Sequence, residues 1–175
     1  MIISRTPLRI SFVGGGSDLD SFYLKEAGAV VSTTIDKFIY INVNKKFDNK
    51  IRVSYSKTEI VDRVDDLKHD IVKEALKMAG IKGGIEITSI ADIPSEGTGL
   101  GSSSTYAVGL LNALFAYKGK HSSAELLAKK ACEIEINKMR KPIPTGEVAQ
   151  PLYGLLRYKQ APPRMLWRKQ QLKVF

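Results

Sequence analysis

The chain is poor in the residues that build cross-links and metal centres: one cysteine, two histidines and one tryptophan among 175 residues. A lone Cys132 excludes an internal disulfide framework. It lies in a helical pattern, so a buried thiol is expected rather than a reactive one. His69 and His121 stand in polar surroundings without metal-ligand spacing, and both are expected at the surface. No apolar run approaches the ~20 residues of a membrane span. Met1–Ser11 carries basic residues but no long apolar core and no small-residue cleavage site, which argues against a signal peptide. A cytoplasmic protein with no membrane partner is therefore expected. Internal repeats and low-complexity linkers are also missing. What remains is ordinary globular composition, 43% hydrophobic and 26% charged, in a chain long enough for one domain with a sizeable core.

The formal net charge of +9 resembles a nucleic-acid signal. Its distribution weakens that reading. Residues 138–175 hold nine Lys/Arg against the single acid Glu147, while residues 1–137 hold 18 basic and 17 acidic groups. The basicity belongs to the tail and the rest is nearly neutral. The tail's aromatics, Tyr153, Tyr158, Trp167 and Phe175, form no recognisable RNA module. A nucleic-acid-binding protein stays as the competing class. Steeply salt-dependent RNA binding would favour it.

Hydrophobic periodicity divides the chain into elements. Ile2–Val13, Ala29–Asp36, Phe38–Lys46 and Ile51–Tyr55 read as strands rich in Val, Ile, Thr and Tyr, with Asp48-Asn49 as a turn. Asp65–Ala79 has helical spacing at Leu67, Ile71, Val72, Ala75, Leu76 and Ala79, and Gly80 ends it. Gly84–Ile90 is a further strand. Ser103–Tyr117 is an apolar helix with Val108, Leu111, Leu114 and Phe115 inward. Ser122 or Ser123 caps the next helix, which runs to about Lys138 with Leu126, Leu127, Ala131 and Ile134 inward. The fold class is α+β.

The densest chemistry lies in PSEGTGLGSSSTYAV, Pro94 to Val108. Gly97, Gly99 and Gly101 alternate with other residues, Ser102, Ser103 and Ser104 follow, and a helix begins. Such a loop can turn several backbone N–H groups onto one anion, and the helix adds its free N–H groups and positive dipole end. A phosphate is the natural guest. The common phosphate motifs do not fit. A P-loop needs Lys after its last Gly, where Ser102 stands, and a GxGxxG pattern would need glycine at Ser102 or Ser104. Ala91–Glu96 also separates the loop from the preceding strand.

The pattern Pro-x(2)-Gly-x-Gly-Leu-Gly-Ser-Ser-Ser instead resembles the ATP-binding motif of the GHMP kinases, the superfamily of galactokinase, homoserine kinase, mevalonate kinase and phosphomevalonate kinase. A second motif, RTPLRISFVGGGSD from Arg5 to Asp18, stands in the family's order and separation. Its form is most similar to the D-glycero-D-manno-heptose 7-phosphate kinases and their fucokinase-like relatives. The resemblance implies a GHMP N-terminal domain, similar to domain 2 of ribosomal protein S5, with an unusual left-handed βαβ unit. It implies ATP held by Pro94, Gly97, Gly99, Leu100, Gly101, Ser102, Ser103 and Ser104. It puts Arg9 opposite the transferred phosphate and Gly15, Gly16, Ser17 and Asp18 at the sugar. It also implies Mg²⁺ on Ser103, with Ser102 as the fallback, and on Glu135, which Pro142 follows at the family's spacing.

After Pro142 the family's Asp-Gln segment is missing. Counting places Glu147 where the family has its catalytic aspartate, but the flanking residues differ. No period of 2 or 3.6 is visible in the tail, and family members are about twice as long. The expectation is a kinase N-terminal domain at 1–142 with an atypical basic tail at 143–175. A frameshift or truncation that removed the C-terminal domain would explain this, and the chain as given is then expected to be impaired or inactive. The expected activity is ATP-dependent phosphoryl transfer to a sugar or sugar-phosphate hydroxyl, heptose 7-phosphate kinase-like, with galactokinase or fucokinase activity as the alternative. The oligomeric state is left open by the sequence.

Overall fold

The computed structural model describes residues 1–15, 25–26, 29–94, 98–138, 156–161 and 164–165, and from residue 136 onward the backbone alone. Gly16, Ser17, Asp18, Gly97, Pro142 and Glu147, all expected to be functional or diagnostic, lie outside the described residues.

Two long strands form the spine. β1 (Ile2–Val13) pairs antiparallel with β2 (Ala29–Lys45) from Ile2↔Val43 to Val13↔Val31. The sequence suggests a break at Lys37, but β2 runs through it as one 17-residue strand. The irregularity there appears as a register shift in the pairing between Pro7 and Arg9, and a second shift lies farther along, between Ser11 and Val13. On the other side of β2 lies β5 (Ile85–Ala91), antiparallel, and β3 (Ile51–Ser54) pairs parallel with β5. A parallel pair needs a crossover connection. Here it includes the short strand β4 (Thr58–Val61), which periodicity had not resolved, and the helix α1 (Asp70–Ala79). The expected helix start at Asp65 is replaced by a 3-10 turn at Val64–Asp66, with α1 beginning only at Asp70. Gly80 closes α1 in the left-handed region, as expected from sequence.

The tail also joins the sheet. β6 (Leu156–Ala161) pairs antiparallel with Ala29–Ser32 of β2, and β7 (Arg164–Met165) pairs with β6. The absence of a visible period in this segment was therefore misleading. A strand's pairing rests on backbone groups, which a basic, irregular side-chain pattern does not remove.

Helices cover one face. α2 (Ser102–Tyr117) packs on β1 and β2, flanked by α1 and by α3 (Ala124–Cys132). Ser123 caps α3, accepting from the Leu126 N–H at 3.2 Å. A π turn, Glu133–Lys138, continues it, so the helix expected to reach Lys138 changes pitch after Cys132. The core is Ile39, Ile41, Val43, Ile85 and Ile87 of the sheet against Val72, Leu76, Leu110, Leu111 and Leu114 of the helices. Each such side chain contributes roughly 1.5–3 kcal/mol on burial. Leu126, expected inward, is exposed; the buried stripe of α3 is Leu127, Ala128 and Ala131. The sheet's other face leaves Ile3, Ile60 and Ile90 about half exposed. No helix among the described residues is long and apolar enough to cross a membrane.

Candidate functional site

The glycine loop ends where α2 begins. Gly101 is its N-cap, in the left-handed region at φ 73°, and no side chain caps the first turn. The Thr105 N–H donates to the Gly101 carbonyl at 2.9 Å. The amides of Ser102, Ser103 and Ser104 therefore precede the ladder at a positive dipole end, with no acidic residue in the first turn to neutralise it. Thr98, absent from the sequence reading, pairs its hydroxyl with that of Ser102 at 3.3 Å.

Arg9 lies under this loop and is 4% exposed. Its Nη1 donates to the Gly99 carbonyl at 3.2 Å, and its backbone N–H donates to the Leu100 carbonyl at 3.3 Å. A Cβ added to Gly101 would stand 2.9 Å from the Arg9 Cζ, so any side chain there must displace the guanidinium. β1 thus delivers the sequence-expected arginine directly to the loop.

The expected metal pair is also brought together. Glu135, fully buried, accepts from the Ser103 hydroxyl at 2.5 Å on one carboxylate oxygen and from the Ser104 hydroxyl at 2.7 Å on the other. Ser102, the fallback, turns to Thr98 instead. No cluster of three or more His, Cys, Asp or Glu suited to a metal occurs among the described residues. The donors here are hard oxygens on one carboxylate and one hydroxyl, which suits Mg²⁺ completed by phosphate oxygens and water. Close by, burial and then the Glu135 carboxylate push the Cys132 thiol up to about 12. The thiol, expected buried from sequence, is only partly buried, and its raised pKa leaves it a poor nucleophile.

Two cavities flank the loop. One, about 460 Å³, is lined by Tyr55, His69, Ile90, Pro94, Ser103 and Tyr106 among others. His69 was expected at the surface. It is instead half-buried, stacked on Tyr106 (centroids 5.2 Å apart, planes 22°) and edge-on to Tyr55 (4.8 Å, 88°). The Tyr55 hydroxyl donates to Glu59 at 2.8 Å, which raises the phenol's pKa. Burial works against ionised Glu59, but the Lys68 N–H, the Tyr55 hydroxyl and His69 together hold its carboxyl below the usual range. Burial raises Tyr106 strongly, keeping its phenol neutral. The cavity therefore has an aromatic wall and serine hydroxyls at its loop end. A flat, apolar-faced group with an anionic extension fits that arrangement. No spacing rule joins Tyr55, His69 and Tyr106, which come from three elements; only the fold assembles them.

The second cavity, about 450 Å³, is lined by Arg9 to Gly15, Gly99 and Leu100. Of the expected sugar-site residues only Gly15 is described, and it lies on this wall.

Comparison with known proteins bears on the family and the fold. The family model described as "GHMP kinases N terminal domain" matches residues 67–153, extending past Pro142. A D-glycero-alpha-D-manno-heptose 7-phosphate kinase of Campylobacter jejuni is 32% identical over 147 residues, covering 77% of this chain and 43% of the relative. Among solved structures, a D-glycero-D-manno-heptose 1-phosphate kinase from Bacteroides thetaiotaomicron matches at TM-score 0.84 and 20% identity, over 99% of this chain and 61% of that one. A Lactococcus lactis galactokinase complexed with galactose matches at TM-score 0.69 and 19% identity, over 90% and 43%. At those identities the two structures speak for the fold alone. The chain spans less than half the length of the curated relative it matches.

Proposed function

This chain belongs to the GHMP kinases through their N-terminal domain, and from that premise we propose that it serves ATP-dependent phosphoryl transfer to a hydroxyl of a sugar or sugar phosphate, with heptose 7-phosphate as the first candidate. The observation that carries the proposal is the clamp of Ser103 and Ser104 on buried Glu135. It fixes a carboxylate at the N-terminus of α2, where a nucleotide's phosphates would meet loop amides.

Phosphoryl transfer depends mainly on positioning and charge neutralisation. The aromatic wall of Tyr106, His69 and Tyr55 receives the base. Gly99, Leu100, Gly101 and the three serines that follow present amides and hydroxyls to the phosphates, with Pro94 at the cavity rim and Gly97 in the same loop. Ser103 and Glu135 would hold Mg²⁺, which supplies charge neutralisation between the phosphates. Arg9 lies between the loop and the second cavity, where its fixed charge can stabilise the group in transit. Gly15, Gly16, Ser17 and Asp18 hold the acceptor sugar, with Asp18 accepting from its hydroxyls, and Glu147 is the residue that sequence counting puts at the family's base position. The aspartate is replaced there by a side chain one methylene longer, and misplacement of about 1 Å can cost roughly a hundredfold in rate. Low turnover is therefore expected from the 175-residue chain by itself, while nucleotide binding persists.

The test is twofold. Calorimetry with a non-hydrolysable ATP analogue and Mg²⁺ should show binding. A coupled ADP-release assay with heptose 7-phosphate, galactose and fucose should show turnover well below one per second. No analogue binding by the folded chain would refute the nucleotide reading. Turnover at the ~1–100 per second of ordinary kinases would refute the expected impairment.

A further inference from the structure

The second cavity holds a polar group that neither the sheet nor the phosphate loop uses. Ser11 lines it, on the strand that also carries Arg9. The Ser11 Oγ is buried and has no hydrogen-bond partner among the described residues. Its direct cross-strand neighbour in the β1–β2 register is Ser32, whose Oγ is likewise buried without a partner. Ser32 does not line the cavity and Ser11 does. Buried hydroxyls without partners are uncommon and costly, and they call for an explanation such as a ligand. The remaining wall runs from Ile10 to Gly15 with Gly99 and Leu100. Gly14 packs directly on β2, where a Cβ would stand 1.9 Å from the Ala29 carbonyl oxygen.

We infer that Ser11 is an acceptor-binding residue whose hydroxyl hydrogen-bonds a hydroxyl group of the sugar. The division of labour follows from donor and acceptor capacity. Arg9 can only donate, which suits phosphoryl oxygens. Ser11 can donate and accept at once, which suits an alcohol. This inference rests on the proposed sugar-kinase reading and extends it to a residue that the glycine motif does not by itself single out.

The experiment compares the full chain with its Ser11→Ala and Ser32→Ala variants. Calorimetry measures binding of heptose 7-phosphate, galactose and an ATP analogue with Mg²⁺, and thermal unfolding is followed alongside. A neutral hydrogen bond is worth about a three- to tenfold change in affinity. Ser11→Ala should weaken both sugars by that factor, leave the analogue's affinity unchanged and not lower the unfolding temperature, since it removes an unsatisfied group. Ser32→Ala should leave all affinities unchanged. Unaltered sugar affinity in Ser11→Ala would overturn the inference alone. So would an equal loss in Ser32→Ala, which would trace the effect to the sheet. A loss confined to heptose 7-phosphate would overturn the hydroxyl assignment in favour of a phosphate contact. A wild-type chain that binds the analogue but neither sugar would overturn the acceptor reading and this inference together.

Discussion

Gly101 offers the sharpest test of the nucleotide loop. Any side chain there meets two penalties. The left-handed backbone at φ 73° costs a non-glycine residue roughly 1–2 kcal/mol. The new Cβ also stands 2.9 Å from the Arg9 Cζ and 3.0 Å from Nε. That guanidinium is buried and bonded to the Gly99 carbonyl, so it cannot swing away freely. Pushing it off its rotamer adds about 0.5–1.5 kcal/mol. Gly101→Ala should therefore cost about 2–3 kcal/mol, and a β-branched residue more. If the loop must hold this conformation to bind phosphates, analogue affinity falls about 30- to 150-fold at roughly 1.4 kcal/mol per decade. Gly99 provides the internal comparison. Its backbone is also left-handed, at φ 63°, but a Cβ there meets nothing within 4 Å. Gly99→Ala should show the backbone penalty without the clash, about 5- to 30-fold. Fluorescence titration of a labelled ATP analogue, with thermal unfolding in parallel, measures both. Equal effects of the two substitutions would show that Arg9 is not the obstacle. Wild-type affinity in a folded Gly101→Ala variant would reduce the loop to an ordinary turn.

Glu135→Gln keeps a group able to accept one serine hydroxyl but removes the charge, so analogue affinity should lose its dependence on Mg²⁺; an undiminished dependence, measured calorimetrically with and without the ion, would place the metal elsewhere. Asp18→Asn should weaken sugar binding more than nucleotide binding, and the reverse pattern would mean that the N-terminal motif serves the nucleotide. Cys132 should contribute an alkaline loss of stability: its folded pKa of about 12 lies above the unfolded ~8.5, so the unfolded chain releases its proton first and stability falls by up to about 1.4 kcal/mol per pH unit between those values. Denaturant unfolding of Cys132→Ala over that range should show a shallower decline, and an unchanged slope would remove the thiol from the account. Ending the chain at Leu155 should remove β6 and speed amide exchange at Ala29–Ser32, its partners on β2; unchanged protection would show that the tail strand does not stabilise the sheet.

The phosphate-binding half of the site was legible because its residues are consecutive. Ser102 to Ser104 follow Gly101 directly, and one turn of helix places two of their hydroxyls on Glu135. The spine of the fold was legible too: α1 follows a clear helical period, β1 is a long run of β-forming residues, and α2 is a long apolar run directly behind the glycine loop. The aromatic cavity was not. Tyr55 closes the turn after β3, His69 precedes α1 and Tyr106 lies in α2, and nothing local marks three such residues as neighbours. His69 reads as polar surface because its sequence neighbours Lys68 and Asp70 are exposed, while its own ring turns inward. Leu126 failed in the opposite direction: apolar character suggested burial, but the helix phase set by Leu127 and Ala131 leaves it outside. β6 was missed because pairing with β2 does not require an amphipathic pattern.

The register shift between Pro7 and Arg9 sets a parity for the rest of β1. Before it, Ser4 and Thr6 are buried on the helix side; after it, Arg9 is buried under the glycine loop while Phe12 is two-thirds exposed. A strand alternates its faces residue by residue, so one amino acid inserted or deleted at the shift would exchange the two sets. The backbone ladder could re-form almost intact, yet the guanidinium would point to solvent and Phe12 toward the phosphate loop. A family of such chains should therefore keep the residue count between Pro7 and Val13 fixed, as strictly as it keeps the buried Leu8 and Arg9.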